Sequence, residues 1–276
     1  MGEYLRPDRL SEALAALRRP LTVLAGGTDF YPARVGRAID EDVLDITAIA
    51  SLRGISAGGE GWRLGATTTW SELLAAELPP LFDGLKQAAR EVGGRQIQNA
   101  GTLAGNLCNA SPAADGVPCL LALDAEIEIA GSVGRRLLPL RQFITGVRRT
   151  ALTRDELVVA IHVPRPGNEA RSAFLKLGTR RYLVISIAMA AATVEIADGR
   201  VASARIAVGA CSPVAERLPN LEAALVGAPL DARLADRVEV AHLAPLSPID
   251  DVRGSAAYRS DATVTVLRRL LRGLAS

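Results

Sequence analysis

The segment GTLAGNLCNASPAAD, residues Gly101 to Asp115, is rich in small residues, asparagines and turn formers, and it ends in an acid. It shows almost no helix or strand periodicity, so we interpret it as a loop. A second glycine-rich turn, LAGGTDF at Leu24 to Phe30, follows an apolar run far upstream. Because glycines let a backbone come close to a ligand, two such segments in one chain predict a binding site.

The upstream turn has the features of an anion-binding nest. Successive backbone N–H groups in Ala25 to Asp29 can converge on one anion, and Thr28 adds a hydroxyl donor. No lysine follows the glycines, so the P-loop pattern for binding phosphate is absent. The GxGxxG fingerprint of a dinucleotide-binding Rossmann unit is absent as well. A turn that merely ends a strand is the alternative interpretation.

The downstream segment offers a second set of small side chains and backbone amides, at Thr102, Ala104, Gly105 and Asn106. Asp115 is placed to accept hydrogen bonds from the hydroxyls of a sugar or ribityl chain, or to cap a helix that begins at Gly116. Two anion-binding segments and a neighbouring acid fit a ligand with two phosphates and a polyol arm. FAD has this shape, and so do nucleotide sugars.

Composition and charge exclude several classes of protein. The 276 residues carry a net charge of +2 with scattered basic residues, which gives no field for binding nucleic acid. The longest weakly polar run, Tyr182 to Val194, is shorter than the ~20 residues that span a bilayer. The N-terminus lacks the apolar core of a signal peptide. We therefore expect a cytoplasmic protein without a membrane span.

The chain is poor in metal ligands. Its three cysteines, Cys108, Cys119 and Cys211, form no CxxC pair, and its two histidines are His162 and His242. Reduced thiols in a cytosolic protein fit this pattern. We expect no metal site built from this chain, and we interpret Cys108 as a small buried residue.

Apolar and turn patterns predict a mixed α and β protein with two domains. A short helix from Ser11 to Arg18 and strand-like runs at Leu21 to Ala25 and Asp42 to Ile46 suggest a βαβ-like beginning. The sequence WRLGATTTW then predicts a strand followed by a helix, for which Ser71 is available as the N-cap.

The best domain boundary is VPRPGNEA, Val163 to Ala170, where two prolines and a glycine separate periodic segments. A tight turn is predicted at DGR, Asp198 to Arg200. Beyond the boundary we predict three strands and two helices, at Phe174 to Leu177, Val184 to Ile196, Val201 to Cys211, Leu221 to Val226 and Ala262 to Leu274.

Four segments stand in a recognisable order: LAGGTDF, QIQNAGTLAGNLCNASPAADGVPCLLALDAEIEI, FLKLGTRR at Phe174 to Arg181, and SPIDDVRGSAAYRSD at Ser247 to Asp261. Together they resemble the FAD-binding medium subunit of the molybdenum hydroxylase family, which includes xanthine dehydrogenase and carbon monoxide dehydrogenase. The last two look like that family's K-x-G-x-R segment and its C-terminal D-x-R-x-S-x-x-Y-R signature. The resemblance covers essentially the whole chain.

The resemblance implies an α+β fold in two domains. Residues 1–165 would be a two-lobed FAD-binding domain of the vanillyl-alcohol-oxidase (PCMH) type, with lobes of about 1–55 and 56–165. Residues 169–276 would be the C-terminal medium-subunit domain, a three-stranded antiparallel sheet with helices. Arg253, Tyr258 and Arg259 would pin the C-terminal helix to the sheet or meet a partner subunit.

The resemblance also implies non-covalent FAD binding, with no catalytic residue on this chain. The cofactor-binding residues it implies are Val23, Leu24, Ala25, Gly26, Gly27, Thr28, Asp29, Phe30, Thr102, Ala104, Gly105, Asn106, Asn109, Ser111, Asp115, Val158 and Lys176. Lys176 would stabilise negative charge on reduced flavin or form a surface ion pair. Ala104 departs from the family, which commonly has glycine there, and Gln98 and Gly94 replace a basic residue and a histidine of many relatives.

The function implied is electron transfer inside an oxidoreductase. A large partner subunit would hold the molybdopterin, a small one the iron–sulfur clusters, and the three would form a heterotrimer or its dimer. This chain would pass electrons from the clusters through FAD to a final acceptor. Two alternatives stay open: a stand-alone FAD-dependent oxidoreductase with its own substrate pocket, and a nucleotide-binding or assembly subunit without flavin.

Overall fold

The computed structural model describes residues 2–275 and shows a mixed α and β protein. The strands are β1 (Tyr4–Leu5), β2 (Thr22–Leu24), β3 (Val43–Asp45), β4 (Ile55–Ala57), β5 (Gly61–Gly65), β6 (Glu126–Gly131), β7 (Gly134–Pro139), β8 (Ile144–Gly146), β9 (Arg149–Thr150), β10 (Glu156–Pro164), β11 (Glu169–Leu177), β12 (Ala188–Ala197), β13 (Arg200–Gly209) and β14 (Glu216–Arg217). The helices are α1 (Leu10–Ala16), α2 (Trp70–Ala75), α3 (Asp83–Glu91), α4 (Arg95–Ala100), α5 (Leu103–Asn109), α6 (Gly116–Ala122), α7 (Leu140–Phe143), α8 (Pro219–Leu225) and α9 (Ala256–Ala275). Short 3₁₀ helices lie at Pro32–Arg34, Ala50–Leu52, Pro80–Phe82, Ala232–Arg237 and Val240–Leu243.

The N-terminal lobe is a small parallel sheet in the order β1-β3-β2, with α1 connecting its two outer strands. This pairing confirms the predicted βαβ-like beginning, although the sequence did not indicate β1. The lobe buries Leu44 and Ile49 against Leu157 and Val159 of β10. The apolar face of the lobe therefore packs against the sheet that contains β10.

The second lobe is a five-stranded antiparallel sheet in the order β4-β5-β10-β6-β7. Helices α2 to α6 lie in the chain between β5 and β6, and their apolar faces share one core with the sheet. Leu64, Ile127 and Ile161 have no exposed surface in this core. The sheet thus gives a rigid base to the glycine-rich segment, which follows α4 directly.

The structure corrects the predicted cap of helix α2. Thr69, not Ser71, is the N-cap: its hydroxyl accepts a hydrogen bond from the Glu72 backbone N–H, and the Glu72 carboxylate accepts one from the Thr69 backbone N–H. This is a capping box, in which two unpaired N–H groups at the helix start are satisfied reciprocally. Ser71 lies inside the helix and its hydroxyl donates to Asn99 instead.

The structure also corrects the interpretation of Gly101 to Asp115 as one loop, because its central part is helix α5. Thr102 caps this helix by accepting a hydrogen bond from the Gly105 N–H at 3.0 Å. Leu103 and Leu107, one turn apart, are fully buried in the core. Glycine and asparagine have low helix propensity, and burial of that leucine pair offsets the loss of helix stability.

The C-terminal sheet is antiparallel in the order β11-β12-β13-β14, so the two-residue β14 extends the three predicted strands. Successive residues of β12 point to opposite faces, and both faces are covered. Met189 packs toward the core of the five-stranded lobe, whereas Ala190 packs toward α8 and α9. The predicted turn at Asp198 to Arg200 is present, with positive φ at Asp198 and Gly199.

Helix α9 begins earlier than predicted, and its first turn is fixed to the sheet by Arg259. This side chain is 1% exposed and donates to the backbone oxygens of Ile187 and Ala210. It also pairs with Asp251 at 2.6 Å. The expectation that the C-terminal signature pins this helix to the sheet is confirmed for Arg259, whereas the Tyr258 side chain is exposed.

Candidate functional site

A cavity of about 410 Å³ lies between the N-terminal lobe and the five-stranded lobe. Most of the residues implied by the resemblance line it, namely Val23, Leu24, Ala25, Gly26, Gly27, Thr28, Asp29, Phe30, Thr102, Ala104, Gly105, Asn106, Asn109 and Val158. Its size falls within the roughly 300–1,000 Å³ typical of small-molecule and cofactor sites. The tertiary structure has therefore brought together two segments that are far apart in sequence.

The two glycine-rich segments touch each other at the base of the cavity. A Cβ placed on Gly26 would lie 2.0 Å from the Ala100 carbonyl oxygen, and one on Gly101 would lie 3.5 Å from the Thr28 hydroxyl. Only a residue without a side chain fits at the first of these contacts. The glycines are thus needed for the approach of backbone to backbone.

The upstream turn presents unused hydrogen-bond donors. Within residues 2–275, the backbone N–H groups of Gly26 to Phe30 donate to no protein acceptor. The chain reverses at Gly27, whose φ is +70°, and the helical turn that follows starts with the Tyr31 N–H donating to the Gly27 oxygen. A run of free N–H groups at such a turn is a concave donor site for an anion.

Helix α5 gives the cavity its second wall. Leu103 and Leu107 face the core, so Ala104 and Cys108, also one turn apart, face the cavity. The Ala104 N–H has no acceptor among the described residues, whereas the Gly105 N–H is used by the Thr102 cap. Cys108 is exposed on this face, so its interpretation as a buried residue is wrong.

Asn106 places an unsatisfied polar atom in the same wall. Its side-chain oxygen is buried and has no hydrogen-bond partner among the described residues. Buried polar atoms of this kind are rare and indicate a missing partner, such as a ligand or water. The atom lies against the start of α6, since a Cβ on Gly116 would be 3.0 Å from it.

Three residues implied by the resemblance lie outside this lining: Ser111, Asp115 and Lys176. The Ser111 hydroxyl accepts a hydrogen bond from the Ala113 N–H. Lys176 pairs with Asp115 at 2.9 Å, and both side chains are buried, so this is an internal ion pair and not one on the surface. Asp115 stands at the first position before α6, but its side chain makes no capping hydrogen bond. Its other oxygen accepts from the Ser186 hydroxyl at 2.8 Å.

Sequence reasoning missed several lining residues, among them Trp70, Ile97, Cys108, Leu152 and Glu156. The helical spacing of Ala104 and Cys108 was a usable signal for one of them. Trp70 is 2% exposed and is shared by the core and the cavity, which no sequence pattern shows. The others reach the cavity only because β10 and α4 fold against it.

Glu156 is the cavity carboxylate whose pKa is shifted by a specific charged partner. Its carboxylate accepts two hydrogen bonds of 2.8 Å from Arg136 and one from the Thr153 N–H. The Arg136 hydrogen bonds, against the opposing effect of burial, lower the pKa of Glu156 to about 2. Glu156 therefore carries a negative charge throughout the neutral range and serves as a fixed anion, not as an acid or base.

The residues present fit a dinucleotide with a diphosphate. Free backbone donors and a hydroxyl line one side, and apolar side chains such as Val158 and Ile97 complete the enclosure. Among the described lining residues the titratable side chains are Asp29, Cys108 and Glu156, so no histidine, tyrosine or lysine is available there for proton transfer. The fold and the site define a class of protein that binds a nucleotide cofactor between two lobes.

The described chain was also compared with the features of membrane spans and metal sites. Residues 2–275 contain no helix long and apolar enough to cross a membrane. Within the same range no cluster of three histidine, cysteine or acidic side chains is arranged to hold a metal ion.

Comparison with known families accounts for both halves of the chain. Residues 1–166 match the model described as the FAD binding domain in molybdopterin dehydrogenase. Residues 173–274 match the CO dehydrogenase flavoprotein C-terminal domain. The chain therefore belongs to the family of FAD-binding subunits of molybdenum hydroxylases, as its sequence motifs predicted.

Individual relatives agree with this assignment. The chain is 30% identical to the putative xanthine dehydrogenase FAD-binding subunit of Escherichia coli K12, over 98% of this chain and 94% of the relative. It is also 30% identical to the carbon monoxide dehydrogenase medium chain of Afipia carboxidovorans, over 97% and 94%.

Solved structures confirm the fold. A chain of the reconstituted CO dehydrogenase from Oligotropha carboxidovorans superposes with a TM-score of 0.90 at 29% identity, covering 100% of this chain and 98% of that one. A chain of quinoline 2-oxidoreductase from Pseudomonas putida 86 gives 0.88 at 26% identity, covering 100% and 97%. The chain is thus an FAD-binding oxidoreductase subunit.

Proposed function

We propose that this chain carries electrons from the iron–sulfur clusters of a small partner subunit, through its FAD, to a final acceptor. The substrate would be oxidised at the molybdenum centre of a large partner subunit, and the three subunits would form a heterotrimer or its dimer. Bound flavin supplies the ability to accept electrons and to release them singly or in pairs. The chain's own residues hold, orient and electrostatically tune that group.

One observation carries the proposal: two glycine-rich segments meet at one cavity, and both contribute residues with unused backbone donors to its lining. We assign the diphosphate of FAD to the donors of Gly26 to Phe30 and of Ala104. No reorganisation is needed there, because the turn and the helix start are already formed. The contribution of Ser111, Asp115 and Lys176 to flavin binding stays a prediction, since these residues lie behind the lining.

The lining also supports a role in electron transfer rather than in substrate chemistry. A stand-alone oxidoreductase needs an acid, base or nucleophile near the flavin. The Glu156 carboxylate is held ionised by Arg136, and Cys108 stands alone without a histidine beside it among the described lining residues. Electron passage requires none of these groups.

We further propose the division into an FAD-binding domain, residues 1–165, and a medium-subunit domain, residues 169–276. The lobes of the first would be about 1–55 and 56–165. We propose the cytoplasm as its location, which the unpaired thiols of Cys108, Cys119 and Cys211 support.

The experiment is purification of the full chain, reconstitution with FAD and titration of flavin fluorescence and absorbance near ~450 nm. We expect one FAD per chain, released on denaturation because attachment is non-covalent. Co-expression with the genes that flank this one should then yield a complex containing molybdenum and iron. A chain that stays colourless after exposure to FAD contradicts the proposal, and so does substrate turnover by the isolated chain.

A further inference from the structure

The Asp251-x-Arg253 turn before helix α9 is a compact charged cluster. Arg253 donates to both carboxylate oxygens of Asp251: its backbone N–H reaches one at 2.8 Å, and its guanidinium reaches the other at 2.5 Å. Arg259 donates to the same carboxylate. These hydrogen bonds, those of Arg253 first, hold the pKa of Asp251 well below its usual range. The cluster is therefore permanently charged.

Arg253 extends this cluster beyond its own turn. Its guanidinium donates to the backbone oxygen of Ser186 at 3.2 Å. The Ser186 hydroxyl, which is buried, donates in turn to Asp115 at 2.8 Å. Ser186 thus receives a hydrogen bond from the C-terminal signature and gives one to the FAD-binding lobe.

Asp115 is held between two groups of the C-terminal domain. One carboxylate oxygen accepts from Ser186 and the other from Lys176 at 2.9 Å. Burial raises the pKa of Asp115, and Lys176 and Ser186 oppose that rise. Each hydrogen bond matters, because a buried carboxylate that loses a partner keeps the full cost of its desolvation.

The residue after Asp115 packs directly behind the cavity wall. A Cβ on Gly116 would lie 2.7 Å from the Trp70 ring and 3.0 Å from the Asn106 side-chain oxygen. Trp70 and Asn106 both line the cavity. A small shift at the start of α6 is therefore transmitted to two residues of the wall, since closely packed groups have no free space to absorb it.

We infer that Arg253 is a positioning residue for the flavin cavity, acting through Ser186 and Asp115. The C-terminal domain would in this way set the shape of a wall that belongs to the other domain. The inference rests on the proposed FAD function, and it gives the C-terminal signature a role at the cofactor site that its clamp on helix α9 does not require.

The test compares Arg253→Gln with a matched control, Arg233→Gln, in the full-length chain. Arg233 belongs to a second Asp-x-Arg turn, in which its backbone and guanidinium donate to Asp231 in the same way. It has no counterpart of the Ser186 contact among the described residues. The pair therefore compares the loss of an Asp-x-Arg ion pair that is linked to Ser186 with the loss of one that is not.

The readouts are the FAD dissociation constant, the visible circular dichroism of bound flavin and the Tm of the apoprotein. We expect Arg253→Gln to weaken FAD binding by about tenfold or more and to change the flavin dichroism, whereas Arg233→Gln changes neither. Arg253→Lys should restore part of the affinity. A lower Tm with unchanged FAD affinity and dichroism would show a merely structural role and overturn the inference.

Ser186→Ala is the second variant, and it tests the route through Ser186 if Arg253→Gln does not fold. It should weaken FAD binding in the same direction, and the double variant should lose less than the sum of the two because both act on one chain of contacts. Additive losses, or unchanged binding in Ser186→Ala, would overturn the route through Ser186. A wild-type chain that binds no FAD would instead refute the proposed function itself.

Discussion

Gly26 and Ala100 meet so closely that a single Cβ on Gly26 would lie 2.0 Å from the Ala100 carbonyl oxygen. The contact joins the N-terminal lobe to the segment that precedes helix α5. Both partners are backbone, so neither can move aside as a flexible side chain does. The width of the cavity is thus set at a contact between two segments separated by more than seventy residues.

Gly26→Ala should therefore separate the two segments and reduce FAD affinity by at least about tenfold. Overpacking of this kind also costs ~1–3 kcal/mol of stability. FAD titration and chemical denaturation measure the two effects. Gly58→Ala is the control, because nothing lies within 4 Å of the added Cβ there. Equal FAD affinity in the two variants would refute the placement of the diphosphate.

Gly27 supports the same turn by its backbone conformation. Its φ is +70°, which an L-residue adopts only at a cost of ~1 kcal/mol, and an added Cβ would lie 2.6 Å from the Tyr31 ring. Gly27→Val should abolish flavin retention while the C-terminal domain stays folded. Gly199→Val is the matched control, since Gly199 has the same φ but open space around it. It should lose stability without losing FAD.

The capping box gives a prediction about stability alone. Thr69→Ala removes the acceptor of the Glu72 N–H and should lower the free energy of unfolding by ~1 kcal/mol. Ser71→Ala removes only an exposed hydrogen bond and should change it by less than half as much. Denaturant titrations of the two variants provide the measurement. If Ser71→Ala is the more destabilising, the assignment of the cap is wrong.

The lowered pKa of Glu156 predicts how the stability of the protein depends on pH. Because its folded pKa is about 2 and its ordinary value is 4.5, its ion pair stabilises the protein fully above 4.5 and is lost as the pH falls toward 2. The stability difference between wild type and Glu156→Gln should therefore shrink over that range. We expect ~1 kcal/mol at neutral pH, since Arg136 is partly exposed to solvent.

Glu216 is the control of opposite sign. Burial raises the pKa of its carboxyl, so ionisation weakens the folded state at neutral pH. Glu216→Gln should stabilise the protein there, and the gain should disappear in acid. A stability difference between wild type and Glu156→Gln that stays constant between pH 4.5 and 2 would contradict the assigned ion pair.

The sequence predicted the family, the order of the main elements and most of the cavity lining. Its failures were local and had physical causes. Helix α5 was interpreted as a loop because propensity disfavours its glycine and asparagines, and tertiary burial of Leu103 and Leu107 outweighs that preference. The buried state of the Lys176–Asp115 pair depends on the packing of one domain against the other, which no local pattern reports.

The sequence by itself determined the chemistry: glycines where backbone must approach backbone, small side chains beside free amides, and motifs that define a family of FAD-binding subunits. Only the tertiary structure decided how these parts are joined. It set Gly26 against Ala100, turned the Cys108 face of α5 toward the cavity, and linked Arg253 to Asp115 through Ser186. The reason is that burial and hydrogen bonding between distant segments depend on their position in space, whereas periodicity and propensity act only between neighbours along the chain.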